Sequence, residues 1–113
     1  MARTLITVPS SARRGEIIEV RVLIQHPMET GYRRSSEGSI LPRNLLRRYT
    51  ARFVAADAGG AGELVFAADL HAAIAANPYL SFNYRATTTG KFVFAWEGDE
   101  GFSHREETVL RVV

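Results

Sequence analysis

Cysteine is absent from the 113 residues. That excludes a disulfide framework, a thiolate-held metal and a thiol nucleophile, while leaving the redox compartment open. Lysine is almost absent as well: 13 of the 14 basic side chains are arginine, and the formal net charge is only +2. No apolar run approaches the roughly 20 residues that cross a bilayer, and the stretch from Met1 to Pro9 is too short in apolar residues for a signal peptide. Unaided, the chain is expected to stay in the cytoplasm and off the membrane. No phosphate-cradling loop occurs, because no helix signal follows the run Gly59, Gly60, Ala61, Gly62. Internal repeats and low-complexity segments are missing too.

What is present is a globular balance, with 46% hydrophobic and 23% charged residues. At this length it implies one domain, residues 1–113, burying roughly two-thirds of its unfolded surface. The organising stretch runs from Gly15 to Arg34. Ile18, Val20, Val22 and Ile24 share one side of an extended chain and Glu19, Arg21 and Gln25 the other, the mark of a half-buried strand. Pro27 and Gly31 stop it near His26 and pass the chain to a long, chemically mixed loop.

The same alternation recurs at Thr4 to Val8, Arg48 to Val54, Glu63 to Ala67, Tyr79 to Ala86, Lys91 to Trp96 and Ser103 to Val113, with turn residues between. The one helical signal lies at Asp69 to Asn77, with Asp69 as N-cap and Pro78 as stop. About seven strands at this spacing, with one short helical crossover, predict an all-β, immunoglobulin-like β-sandwich that lacks the usual inter-sheet disulfide. Phe92, Phe94 and Trp96 are the expected aromatic core, packed on Ile18, Val20, Val22, Phe82 and Tyr84. Trp96→Ala is expected to come close to unfolding the domain.

Few residues suggest chemistry. Ser103 and His104 are strand neighbours pointing to opposite faces, so with Asp99 they make no hydrolytic triad. His26, Glu29, His104 and Glu106 lack metal-site spacing, and His71 reads as a surface or capping residue. No catalytic residue, cofactor or metal is therefore expected. The stretch from Arg33 to Arg52 holds Arg33, Arg34, Arg43, Arg47, Arg48 and Arg52 against Glu37 alone, about +5. Tyr32, Tyr49 and Phe53 interleave with it as a stacking groove would require. The low net charge and the acidic stretch from Glu97 to Glu107 nevertheless weigh against nucleic acid.

Across nearly the whole chain the sequence resembles the SoxZ family of bacterial sulfur oxidation. The residues that carry this are Val8 to Ala12 with Gly15 and Glu16, His26 with Met28 to Gly31 and Arg33, Pro42 with Arg43, Asn77 to Tyr79, Trp96, and the turn Asp99 to Gly101. Gly98 departs from the more acidic turn of the family. The resemblance implies an immunoglobulin-like sandwich that pairs with SoxY, whose flexible Gly-Gly-Cys-Gly-Gly arm carries sulfur intermediates of thiosulfate oxidation. It implies a non-catalytic subunit exported to the periplasm already bound to SoxY, which reconciles export with the missing signal peptide. A scaffold free of cysteine also cannot form a wrong mixed disulfide beside that thiol.

Within that reading, Met28, Glu29, Tyr32 and Arg33 form the candidate docking loop: Met28 an adaptable apolar contact, Tyr32 an amphipathic anchor, Arg33 a planar donor. The competing reading is that Met28 and Glu29 only pin their own loop. Replacing Met28 and Tyr32 by alanine is expected to weaken SoxY binding or sulfur turnover with little change in melting temperature. Arg33, Arg43 and Arg47 are candidates for steering the anionic arm. The alternatives are a stand-alone ligand-binding sandwich and a histidine-bound metal domain.

Overall fold

In the computed structural model, which describes residues 3–32, 34–40, 42–57, 60, 62–71 and 76–113, the alternating stretches become strands. They are β1 (Thr4–Thr7), β2 (Ser11–Ala12), β3 (Ile17–Ile24), β4 (Leu46–Ala55), β5 (Glu63–Asp69), β6 (Tyr79–Arg85), β7 (Gly90–Gly98) and β8 (Ser103–Val112). Two sheets result, a small one in the order β1-β3-β6 and a wide one in the order β2-β8-β7-β4-β5. All pairings are antiparallel except β2 with β8. The chain starts in the small sheet, switches past Pro9, and runs beside its own last strand in the wide one. This is an immunoglobulin-like sandwich with an added edge strand. The eighth strand, beyond the seven expected, is the two-residue β2, which lies within a stretch whose serine, proline and glycine read as turn.

The helical reading of residues 69–77 needs a correction at its start. Asp69 is no N-cap but the last residue of β5, opposite Arg48. Arg48 Nη1 donates to Asp69 Oδ1 at 3.0 Å, and the next backbone N–H, of Leu70, goes to Arg47 O. Strand pairing thus takes the groups a helix start would need. Residues 72–75, and with them Ile74, lie outside the described residues. Among the described residues the helical element is a single 3-10 turn, Asp99–Gly101.

Period-two alternation puts Tyr49, Ala51 and Phe53 of β4 and Phe92, Phe94 and Trp96 of β7 on the inner face, all buried, against Ile18, Val20, Val22 and Ile24 of β3. Phe82 and Tyr84 are half-buried against this cluster. Each fully buried large side chain contributes roughly 1.5–3 kcal/mol. The sandwich closes differently along its two sides. On one, Phe66 of β5 stacks on Phe82 of β6 with centroids 4.9 Å apart. On the other, Thr4 Oγ1 of β1 donates to Glu106 Oε1 of β8 at 3.1 Å.

Candidate functional site

At one end of the sandwich β3 runs out and the long loop begins. Its first residue of consequence is His26, a buried polar side chain at 3% exposure. The His26 N–H donates to Asn77 Oδ1 at 2.9 Å, and the Asn77 N–H returns to His26 O. Inside the loop, Met28 N–H donates to His26 Nδ1 at 3.0 Å. A neutral ring that accepts at Nδ1 carries its proton on Nε2. Nε2 and Asn44 Oδ1 are both buried without a well-formed hydrogen bond. The Asn44 amide still lies close enough to favour the charged ring, as does Asp99, yet burial outweighs both and holds the His26 pKa below the usual histidine value.

Met28 is drawn inward by the same turn. Its backbone takes a positive φ of 52°, its side chain is 5% exposed, and its sulfur accepts the Leu46 N–H at 3.3 Å. The expected role of Met28 as a surface docking contact is therefore corrected. Met28 is part of the core and fastens the loop to the start of β4. The physical reason is that an unbranched thioether fills the gap beside Leu46 while satisfying a backbone donor there. Glu29 continues the fastening through two backbone bonds with Asn44, both 2.8 Å. Arg34 and Ile40 form a second bridge, so the loop is a laddered excursion.

Asp99, in the β7–β8 turn, ties that turn to the start of β4 at this end. Its carboxylate accepts from Leu45 N–H at 3.0 Å and from Arg47 Nε at 2.9 Å, and Arg43 Nε stands 3.6 Å away. Its backbone N–H donates to Leu45 O. The Arg47 bond first, then the Leu45 bond, hold the Asp99 carboxyl below the usual aspartate range. Gly98 precedes it, and a Cβ there would stand 2.6 Å from Leu45 O. The departure at Gly98 thus sits where backbone approaches backbone and a side chain does not fit.

The other candidates fall into place around this end. Tyr32 is 90% exposed and Glu29 half-buried. Arg33 lies outside the described residues. Arg43 and Arg47 converge on Asp99, so the pair reaches solvent with one of its two charges already matched. Tyr49 and Phe53 are buried, which removes the stacking groove a nucleic acid would need. His104 Nε2 pairs with Glu106 Oε1 at 3.0 Å on the inner face, away from Ser103. Among the described residues no three histidines or carboxylates gather as a metal site would require, and no helix is long and apolar enough to cross a membrane.

Sequence reasoning missed His26 as a hub and Asp99 as an anchor. The signals were there, a histidine two residues before a methionine and an aspartate opening a tight turn. Their partners at Asn77, Leu45 and Arg47 are about 50 positions away and invisible to local pattern.

Solved structures with this fold include the superoxide reductase (neelaredoxin) from Ignicoccus hospitalis, with a TM-score of 0.77 at 14% identity, covering 97% of this chain and 80% of that one. The superoxide reductase (neelaredoxin) from Archaeoglobus fulgidus in the reduced form aligns with a TM-score of 0.67 at 16% identity, over 96% and 88%. At such identities the likeness speaks for the fold alone. Among curated proteins none matches the chain. The family model of Sulphur oxidation protein SoxZ matches residues 6–109, a span that takes in all of β2 to β7 and most of β8, the fastened loop and the Asp99 turn, and the chain belongs to the SoxZ family.

Proposed function

We propose that this chain is the non-catalytic subunit of a SoxYZ sulfur carrier. It binds SoxY, whose arm cysteine carries the sulfur intermediates of thiosulfate oxidation, and it helps the pathway enzymes dock. The observation that carries this reading is the family match over residues 6–109. The cysteine-free composition agrees with it, since the covalent chemistry then resides on the partner's thiol. The chain works in the periplasm, exported together with SoxY. With Met28 in the core, Tyr32 is the loop residue that meets the docking enzymes, held out by the laddered segment on either side of it. Arg43 and Arg47 assist the approach of the anionic arm only weakly, because Asp99 offsets them.

Co-expression with the cognate SoxY, followed by size-exclusion chromatography and native mass spectrometry, tests the proposal. One species containing both chains is expected. Separate elution of two folded proteins would overturn it, and metal analysis and ligand screening of the isolated chain would then examine the stand-alone readings.

A further inference from the structure

The outward side chains of the wide sheet form a broad surface of mixed apolar and charged groups. Strand register sets its rows: Leu64, Arg52, Val93 and Glu107 in one, Ala67, Thr50, Ala95 and Arg105 in the next, and Val54, Lys91 and Val109 in a third. The middle of this face is small or apolar. Val93 is buried although it points outward, while Val109 is 66% and Leu64 44% exposed. A shallow hollow of about 180 Å³ opens between Thr50, Arg52, Val93, Ala95 and Arg105.

Most charges on this face are matched. Arg48 pairs with Asp69 and Lys91 with Glu107, each at 3.0 Å, and Arg105 reaches Glu107 at 3.8 Å. Arg52 stands apart from the other unpaired outward charges, Glu97 and Arg111, which are exposed: half-buried at the centre, it has no acceptor among the described residues. A partly desolvated guanidinium, with its donors in a fixed fork, is left to be satisfied by something outside the chain. Arginine set in an apolar surround with a charged rim is also the composition of an interface centre.

We infer that the outer face of the wide sheet is where the partner subunit of the proposed complex docks, placing a carboxylate in the hollow between Arg52 and Arg105. This rests on the subunit reading above and adds the surface to it. A second copy of this chain is a poor occupant. Two-fold pairing with its axis at the hollow would set Arg52 and Arg105 against their own duplicates, whereas an acidic patch on a different chain complements them.

The experiment measures affinity of the purified chain for its SoxY by titration calorimetry, with melting temperature recorded for each variant. Arg52→Gln and Arg52→Glu are expected to weaken binding by about tenfold and about a hundredfold while melting unchanged. Val109→Asp, at an exposed position that does not endanger folding, is expected to weaken it about tenfold. Tyr79→Ser, on the outer face of the small sheet, is expected to leave it alone. Wild-type affinity in the Arg52 and Val109 variants would overturn the surface while the subunit reading stands, as would loss of binding in Tyr79→Ser alone. Self-association through this face, lost in Val109→Asp, would overturn the choice of occupant. If the unaltered chain fails to bind, the subunit reading falls and takes this surface with it.

Discussion

Two sets of arginines, on adjacent stretches of one strand and its approach, meet opposite fates. Arg43 and Arg47 at the loop end share the carboxylate of Asp99, and their charge goes into holding the start of β4 against the β7–β8 turn. Arg52, five residues further along β4, has no such partner among the described residues and faces outward over an apolar floor. The contrast teaches that a basic run in a strand says little until the sheet decides which guanidinium meets a carboxylate. Satisfied charges belong to the fold, and an unsatisfied, half-buried one is available to another molecule.

The comparison is sharpened by damage at the fastened end, which must register as lost stability. Met28→Ala removes a buried side chain and strands the Leu46 N–H, at a cost of about 2–5 kcal/mol by chemical denaturation. A loss under ~0.5 kcal/mol would return Met28 to the surface role expected from sequence. Asp99→Asn keeps the shape but weakens the hold on Arg47, and a clear drop in melting temperature is expected, smaller than that of Met28→Ala.

The two anchors of the fastened end differ in their response to acid. The fold favours the neutral His26 ring, so below the unfolded value of ~6.5 the unfolded chain binds more protons and stability declines as pH falls. The depressed Asp99 contributes stability that is whole above ~3.9 and is lost as pH drops toward its folded value. A stability profile of the wild type therefore declines in two stages, and Asp99→Asn reduces the lower stage and, by removing a charge that favours the protonated His26 ring, deepens the one that begins near pH ~6.5. Retention of both stages unaltered in that variant would count against Asp99 as the anchor.

The smallest effects belong to residues outside both regions. Tyr49 OH is buried without a partner, and burial pushes its phenol well above the usual tyrosine range. Tyr49→Phe is accordingly expected to leave stability unchanged or raise it by up to ~1 kcal/mol, and a loss beyond that would reveal a bond to the hydroxyl. Tyr32→Ala, at a side chain standing in solvent, is expected to leave the melting temperature within about a degree and to slow only the enzymes that act on the complex.

Sequence by itself determined seven of the eight strands, the inner face and the family. Period-two alternation is a local property of the chain, so Ile18, Val20 and Val22, Tyr49 and Phe53, and Phe92 to Trp96 declared their buried side before any partner was known. What alternation cannot carry is the register that sets Arg52 beside Val93 and Leu64 rather than beside an acid of its own. Nor can it carry the closures joining His26 to Asn77 and Asp99 to Arg47 across about fifty residues. Those contacts arise only when the two sheets fold over one another, because the strength of a charge or hydrogen bond depends on what surrounds it in space. Tertiary structure alone therefore decided that Met28 would be a fastener, that Arg43 and Arg47 would be spent on Asp99, and that Arg52 would be left facing out.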